Sequence, residues 1–182
     1  MKYVLALGAV VLCGLALTST GDAGGKKKKG NPGDDLPPRR DEMPMYMKML
    51  LGSNSKDRAV AAHKIGLRGM VNAHDVLDAI DPLKTALEKD ADAEVRQEAA
   101  RALGNIQPEP KETVPLLTRT VKDDKVMDVR LAATVALGQY GGDAKEAIPT
   151  LRNFLGEFKD KKAPNFQTIA MAIKTINGTK KK

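Results

Sequence analysis

The sequence predicts an all-α fold, an α-α superhelix or solenoid of about four stacked helical hairpins, and three observations lead there. The stretch Asp90 to Gly104, DADAEVRQEAARALG, returns 34 residues later as Asp124 to Gly138, DKVMDVRLAATVALG, with seven of fifteen positions identical in one register. Self-similarity at a period of about twenty to fifty residues marks stacked units, none of which can bury its apolar face alone. Prolines recur on nearly the same beat: Pro44, Pro82, Pro115 and Pro149 are 38, 33 and 34 residues apart. Aromatic residues make up only 3% of the chain. Any core is therefore built from Leu, Ile, Val, Ala and Met, which suits thin Ala-rich helical layers better than a β-sandwich.

Taken from its start, the chain opens with Lys2, an apolar run from Tyr3 to Leu17, and then Thr18 to Ala23. The run is short for a transmembrane span, and small Gly21 and Ala23 suit the sites before a cleavage position, so residues 1–23 read as a signal peptide cleaved near Ala23. Two alternatives stand beside cleavage. One is an uncleaved anchor; the other is a lipoprotein signal acylated at Cys13, against which Leu12 stands where a small residue is expected. The implied location is extracytoplasmic, periplasmic or secreted. Cys13 is the single cysteine, so a mature chain has no disulfide and the repeats must carry stability alone.

Residues 24–41 are rich in Gly, Lys, Pro, Asp and Arg, with only Leu36 to bury, and read as a disordered linker. The repeat domain is expected over 42–177, followed by a basic tail, 178–182. Eight helices are expected in four pairs: 42–51 with 55–67, 74–89 with 93–106, 112–121 with 125–140, and 144–158 with 164–176. In each second helix, apolar residues recur at helical spacing, as in Val95, Ala99, Ala102, Leu103, Ile106 and Val129, Ala133, Ala136, Leu137, Tyr140. Gly66, Gly104 and Gly138 fall near the ends of second helices, where a missing Cβ permits close packing or a chain reversal. The prolines belong in a first turn or at a built-in bend, because a proline in a helix interior costs about 3 kcal/mol.

Charge gives a second bound. The formal net charge of +7 equals the seven lysines of Lys26–Lys29 and Lys180–Lys182, so the body between the tails is balanced. A neutral body with basic ends argues against a groove that tracks nucleic-acid phosphates. The lysine runs could make weak contact with an anionic membrane or envelope polymer; as a plain alternative they are solvated spacers.

Proline in the first helix, then Asp, then Val-Arg opening an Ala-rich second helix that ends in Ala-Leu-Gly resembles the HEAT repeat, specifically the short HEAT-like variety also found in phycobilisome lyase subunits. Pro82, Asp90, Val95 and Arg96 carry the resemblance in the second unit, and Pro115, Asp124, Val129 and Arg130 in the third. The first unit keeps Arg58, Ala61, Ala62 and Gly66 but has Asp57 in place of the valine; the fourth keeps Ile148-Pro149 and has Pro164-Asn165-Phe166 in place of Val-Arg. Degenerate end units are what a capped stack requires. The resemblance implies that Arg96 and Arg130, with Asp90 and Asp124, form a hydrogen-bonded ladder between repeats, and not an anion site. It also implies that second helices line the concave side, the default binding face for a protein partner. An accessory role in a bilin-attaching enzyme is the alternative it brings.

Chemistry-bearing residues are few. Met43, Met45, Met47 and Met49 suggest Cu(I), but on a helix only i and i+4 neighbours share a face, and two thioethers make a poor site; core filling is the favoured reading. His63 and His74 stand eleven residues apart with no further His or Cys at ligand spacing, so neither a metal nor a cofactor is expected. There is no glycine-rich phosphate loop, nucleophile elbow or HExxH, and the expected function is a non-catalytic protein-interaction scaffold. On the third unit's second helix, Leu131 and Val135 are apolar at i, i+4 and off the buried stripe; Gln97 and Arg101 hold the same places one repeat earlier, and His63 the place of Arg101 in the first. The expected contact patch is His63, Gln97, Arg101, Leu131 and Val135, against the simpler reading that Leu131 and Val135 fill space toward the fourth unit.

Overall fold

The computed structural model describes residues 36–178. The expected leader, residues 24–35 of the expected linker, and residues 179–182 of the tail lie outside the described residues. Among the described residues the chain forms eight α-helices, three 3₁₀ segments and no strand.

The helices pair in sequence: α1 (Met43–Leu50) with α2 (Ser55–Val71), α3 (Ile80–Lys89) with α4 (Ala93–Ile106), α5 (Pro110–Asp123) with α6 (Met127–Tyr140), and α7 (Ile148–Gly156) with α8 (Pro164–Gly178). The second helices α2, α4, α6 and α8 pack on one another in that order, and each first helix packs on its own partner. One continuous core results, running from Met43 to Ile176 and filled by side chains such as Ile65, Leu83, Leu103, Leu117, Leu137 and Phe154. The thioethers of Met43, Met47 and Met49 belong to it or pack against it, while Met45 is exposed.

Local chemistry sets the helix starts. Asn54 and Asp92 cap α2 and α4 by accepting the amides of Lys56 (3.0 Å) and Glu94 (2.9 Å). Where single helices were expected over 74–89 and 144–158, a 3₁₀ segment (Ala73–Ala79, Gly141–Ala147) comes first and the α-helix begins at Ile80 or Ile148. Pro82 and Pro149 cause the break: neither ring nitrogen can donate, so each sits in the first turn of a new α-helix. Pro44 does the same for α1 after the 3₁₀ turn Arg40–Glu42. The third unit departs from this rule. Pro110 opens α5, and Pro115 lies inside it.

Gly66 and Gly104 in the second helices serve close approach, not reversal. A Cβ on Gly66 would stand 2.8 Å from Ala102 Cα, and one on Gly104 would stand 2.8 Å from Ala136 Cα. Both lie within their helices. α2 also runs four residues past the expected Leu67, to Val71, because Gly69 lets Ile106 and Val76 press against its backbone.

The expected linker is wrong at its end. Residues 36–41 pack on the domain: Pro38 is buried, Lys64 Nζ donates to the Leu36 carbonyl at 3.1 Å, and Arg40 Nε lies 3.3 Å from Asp75 Oδ1. The cause is Asp75, whose side chain is 3% exposed and needs cations; Arg68 supplies one and Arg40 the other.

Candidate interaction face

Each second helix turns one side to the core and its neighbours and the other to solvent. In α4, Val95, Ala99, Ala102 and Leu103 are buried, which leaves Gln97, Glu98 and Arg101 on the outer side. In α6, Val129, Ala133, Ala136 and Leu137 are fully buried, and Val135 is 41% exposed.

Of the five expected patch residues, His63 and Arg101 are brought together through one the sequence reading did not name. His63 Nδ1 lies 3.1 Å from Glu98 Oε2, and Arg101 Nη1 donates to Glu98 Oε1 at 2.6 Å. Glu98, with a side chain only 13% exposed, thus ties the outer sides of α2 and α4 together. Its signal was present in part, since Glu98 and Arg101 are i, i+3 neighbours on a helix; the link to His63, 35 residues away, requires the packing of the repeats. Gln97 is half-buried beside it. Leu131 is half-buried and packs against the core, while Val135 projects. Val60 on α2 and Met171 on α8, 48% and 59% exposed, add apolar surface that the sequence reading also left out.

The arginines have another job. Arg58 donates through Nε and Nη2 to Asp90 at 2.7 and 2.9 Å, Arg96 to Asp124 at 2.8 and 3.1 Å, and Arg130 through Nη1 and Nη2 to Glu157 at 2.9 and 2.7 Å. The arginine of each of the first three units therefore grips a carboxylate of the next. Arg58 and Arg96 each also donate Nη1 to two carbonyls at the foot of their own hairpin, and Arg130 donates Nε to Val121 O. Planar guanidinium, with five donors in a fixed fork, is the side chain that can do both. Hydrogen bonds from Arg58 hold the Asp90 carboxyl below its ordinary value against the opposing effect of burial. Burial pushes Asp124 up, but Arg96, the Val126 amide and the charge of Arg130 outweigh it, and its net shift is downward. The guanidinium of Arg130 also lies 3.9 Å from the ring centroid of Phe154. All of these groups are occupied in joining repeats.

Elsewhere, an open cleft of about 600 Å³ lies between the segment Gln107–Lys111 and the 3₁₀ segment Gly141–Ala147, with Pro115 and Tyr140 in its wall. Its one hydroxyl, Tyr140, donates to Pro108 O at 3.0 Å, and burial drives the phenol far above its ordinary value. It is no acid or base near neutral pH. Among the described residues, no group of three or more His, Cys, Asp or Glu could hold a metal ion, and no helix is long and apolar enough to cross a membrane.

Stacked helical hairpins, a shared core and an arginine–carboxylate ladder from unit to unit define an α-α superhelix of repeats. A model of HEAT repeats matches residues 46–138 and again 80–163, and the chain belongs to that family. No curated protein matches it.

Proposed function

We propose that the protein is an exported, non-catalytic scaffold that binds a protein partner across the outer sides of α2, α4 and α6. HEAT repeats in general mediate protein–protein interaction. The observation that carries the reading is a division of labour: buried small residues and the arginine ladder are consumed within the stack, while Arg101 and Val135 stay exposed on adjacent second helices beside His63. Small residues draw the second helices together at Gly66·Ala102 and Gly104·Ala136, which favours that layer as the concave one. A concave strip with an arginine and a projecting valine suits a segment that offers a carboxylate next to an apolar side chain.

The test is crosslinking and pull-down from native extract with the intact protein, followed by the double variant Arg101→Glu, Val135→Asp. A partner captured by the parent and lost by the folded variant supports the reading. Capture unchanged in the variant refutes it. Mass determination of the mature N-terminus tests export: a start near Gly24 agrees with it, and an intact Met1 argues against cleavage.

A further inference from the structure

The third seam of the arginine ladder is built differently from the other two. Asp90 and Asp124 have side chains only 9% exposed. Each is also pinned a second time, its Oδ1 accepting the amide two residues on, from Asp92 at 3.0 Å and from Val126 at 2.9 Å. The Glu157 side chain is 49% exposed, and among the described residues no backbone amide donates to it. It stands just past the end of α7, after Gly156, where an added Cβ would meet nothing within 4 Å. A longer side chain in open surroundings, held by Arg130 alone, is free to leave, and exposed ion pairs hold weakly.

Arg130 does not depend on Glu157 for its position. Its Nε donates to Val121 O at 2.7 Å, and its guanidinium lies 3.9 Å from the ring centroid of Phe154. That ring is 1% exposed and set edge-on against Phe158. The fork is thus held in place from two sides, and Nη1 and Nη2 are the donors that Glu157 takes. Arg130 and Glu157 line a cleft of about 260 Å³ whose wall also carries Lys122, Thr150 and Asn153. Lys122 is exposed and in no ion pair among the described residues. With Glu157 withdrawn, the cleft presents two cations, two neutral hydrogen-bonding side chains and no carboxylate.

We propose that this cleft is a phosphate-binding site that Glu157 holds closed. A carboxylate from outside would bring only what Glu157 already supplies, and Glu157 is tethered at an effective concentration of about millimolar or more. A phosphate group brings a second charge, which matches Lys122, and a third oxygen beyond the two that the arginine fork takes, for Asn153 or Thr150. The cleft shares no residue with the His63–Arg101–Val135 face, so this binding and partner capture fail separately.

The experiment is isothermal titration calorimetry of the intact protein, of Glu157→Gln, and of Glu157→Gln with Lys122→Ala, using inorganic phosphate, phosphoserine and acetate in turn. Circular dichroism melts show that each variant is folded. Glu157→Gln keeps the shape of the side chain and removes its charge, and is expected to bind phosphate or phosphoserine at least about tenfold tighter than the parent. Adding Lys122→Ala, at an exposed site, weakens that binding several-fold. Tighter binding of phosphoserine identifies a phosphorylated side chain as the source, and tighter binding of inorganic phosphate a free ion; either order supports the site. Glu157→Gln that binds neither would overturn the proposal, as would acetate bound as tightly as phosphate. Equal phosphate binding by parent and Glu157→Gln would overturn the closing role of Glu157.

Discussion

Two chemically identical substitutions should move stability in opposite directions. A methyl group on Gly104 would stand 2.8 Å from both Cα and Cβ of Ala136, and 2.2 Å from Gln139 Oε1. Gln139 can swing away by giving up its 2.9 Å bond to Asn105. The backbone of α6 cannot, and carbon atoms want about 3.5–4.0 Å. α4 and α6 must therefore part by roughly 0.7 Å or more, and overpacking of this kind costs about 1–3 kcal/mol. Alanine for glycine within a helix returns about 1 kcal/mol, so Gly104→Ala comes out destabilised by up to about 2 kcal/mol. At Gly138 the nearest atoms are Ala172 Cβ at 3.4 Å and Cα at 3.5 Å. There the propensity gain stands almost alone, and Gly138→Ala is stabilised by up to about 1 kcal/mol. Urea midpoints and thermal melts of the two variants beside the parent measure the split, at about 3 °C per kcal/mol for a domain of this size. A Gly104→Ala protein as stable as Gly138→Ala would refute the claim that bare backbone at position 104 sets the spacing of these helices.

Asp124→Ala removes two charge-assisted bonds from Arg96 and one from the Val126 amide, and should cost about 2–4 kcal/mol in denaturant titrations. Asp90, Asp124 and Glu157 have carboxyl groups held below their ordinary values. Because the folded values are the lower ones, the stability these groups confer is complete above their unfolded value near about 4 and is lost as pH falls through the folded values. Thermal melts across that acid range should show a steeper loss for the parent than for Asp124→Asn, and parallel curves would count against the ladder. Leu131→Ser, at a half-buried site, should lower stability by about 1–2 kcal/mol, while exposed Val135→Ser should stay within about 0.5 kcal/mol. Equal melting of the two would show that Leu131 does not pack as described.

What the sequence made legible was whatever repeats. Asp90, Arg96 and Gly104 recur as Asp124, Arg130 and Gly138, and that alone gives the phase of the helices and the buried stripe. The direction of the ladder was not visible, because Arg96 could as well have bonded Asp90 of its own unit; only stacking puts Asp124 under its fork while the Asp90 carbonyl takes the remaining nitrogen. Contacts made once escaped as well. Glu98 reaches His63 across 35 residues, and Asp75 draws Arg40 out of a segment whose composition reads as linker. Proline misled through its regularity: Pro82 and Pro149 open α-helices, whereas Pro115, on the same beat, sits inside one because Pro110 had already begun it. The exposed sides of the second helices are the least periodic positions. Periodicity therefore revealed the scaffold and was silent on the surface it carries.

The arginine ladder has one further consequence. The second and third units each offer a guanidinium forward and present an aspartate backward, so the two seams that flank the second unit are made by the same handshake. Excision of residues 90–123 would bring Lys89 next to Asp124 and leave Arg58 facing the carboxylate that Arg96 now holds. The arginine–aspartate pair at the new seam would be the same as in the two it replaced. A stack joined in this way can be lengthened or shortened by whole units, and its reach is a quantity that duplication can adjust without redesigning a single joint.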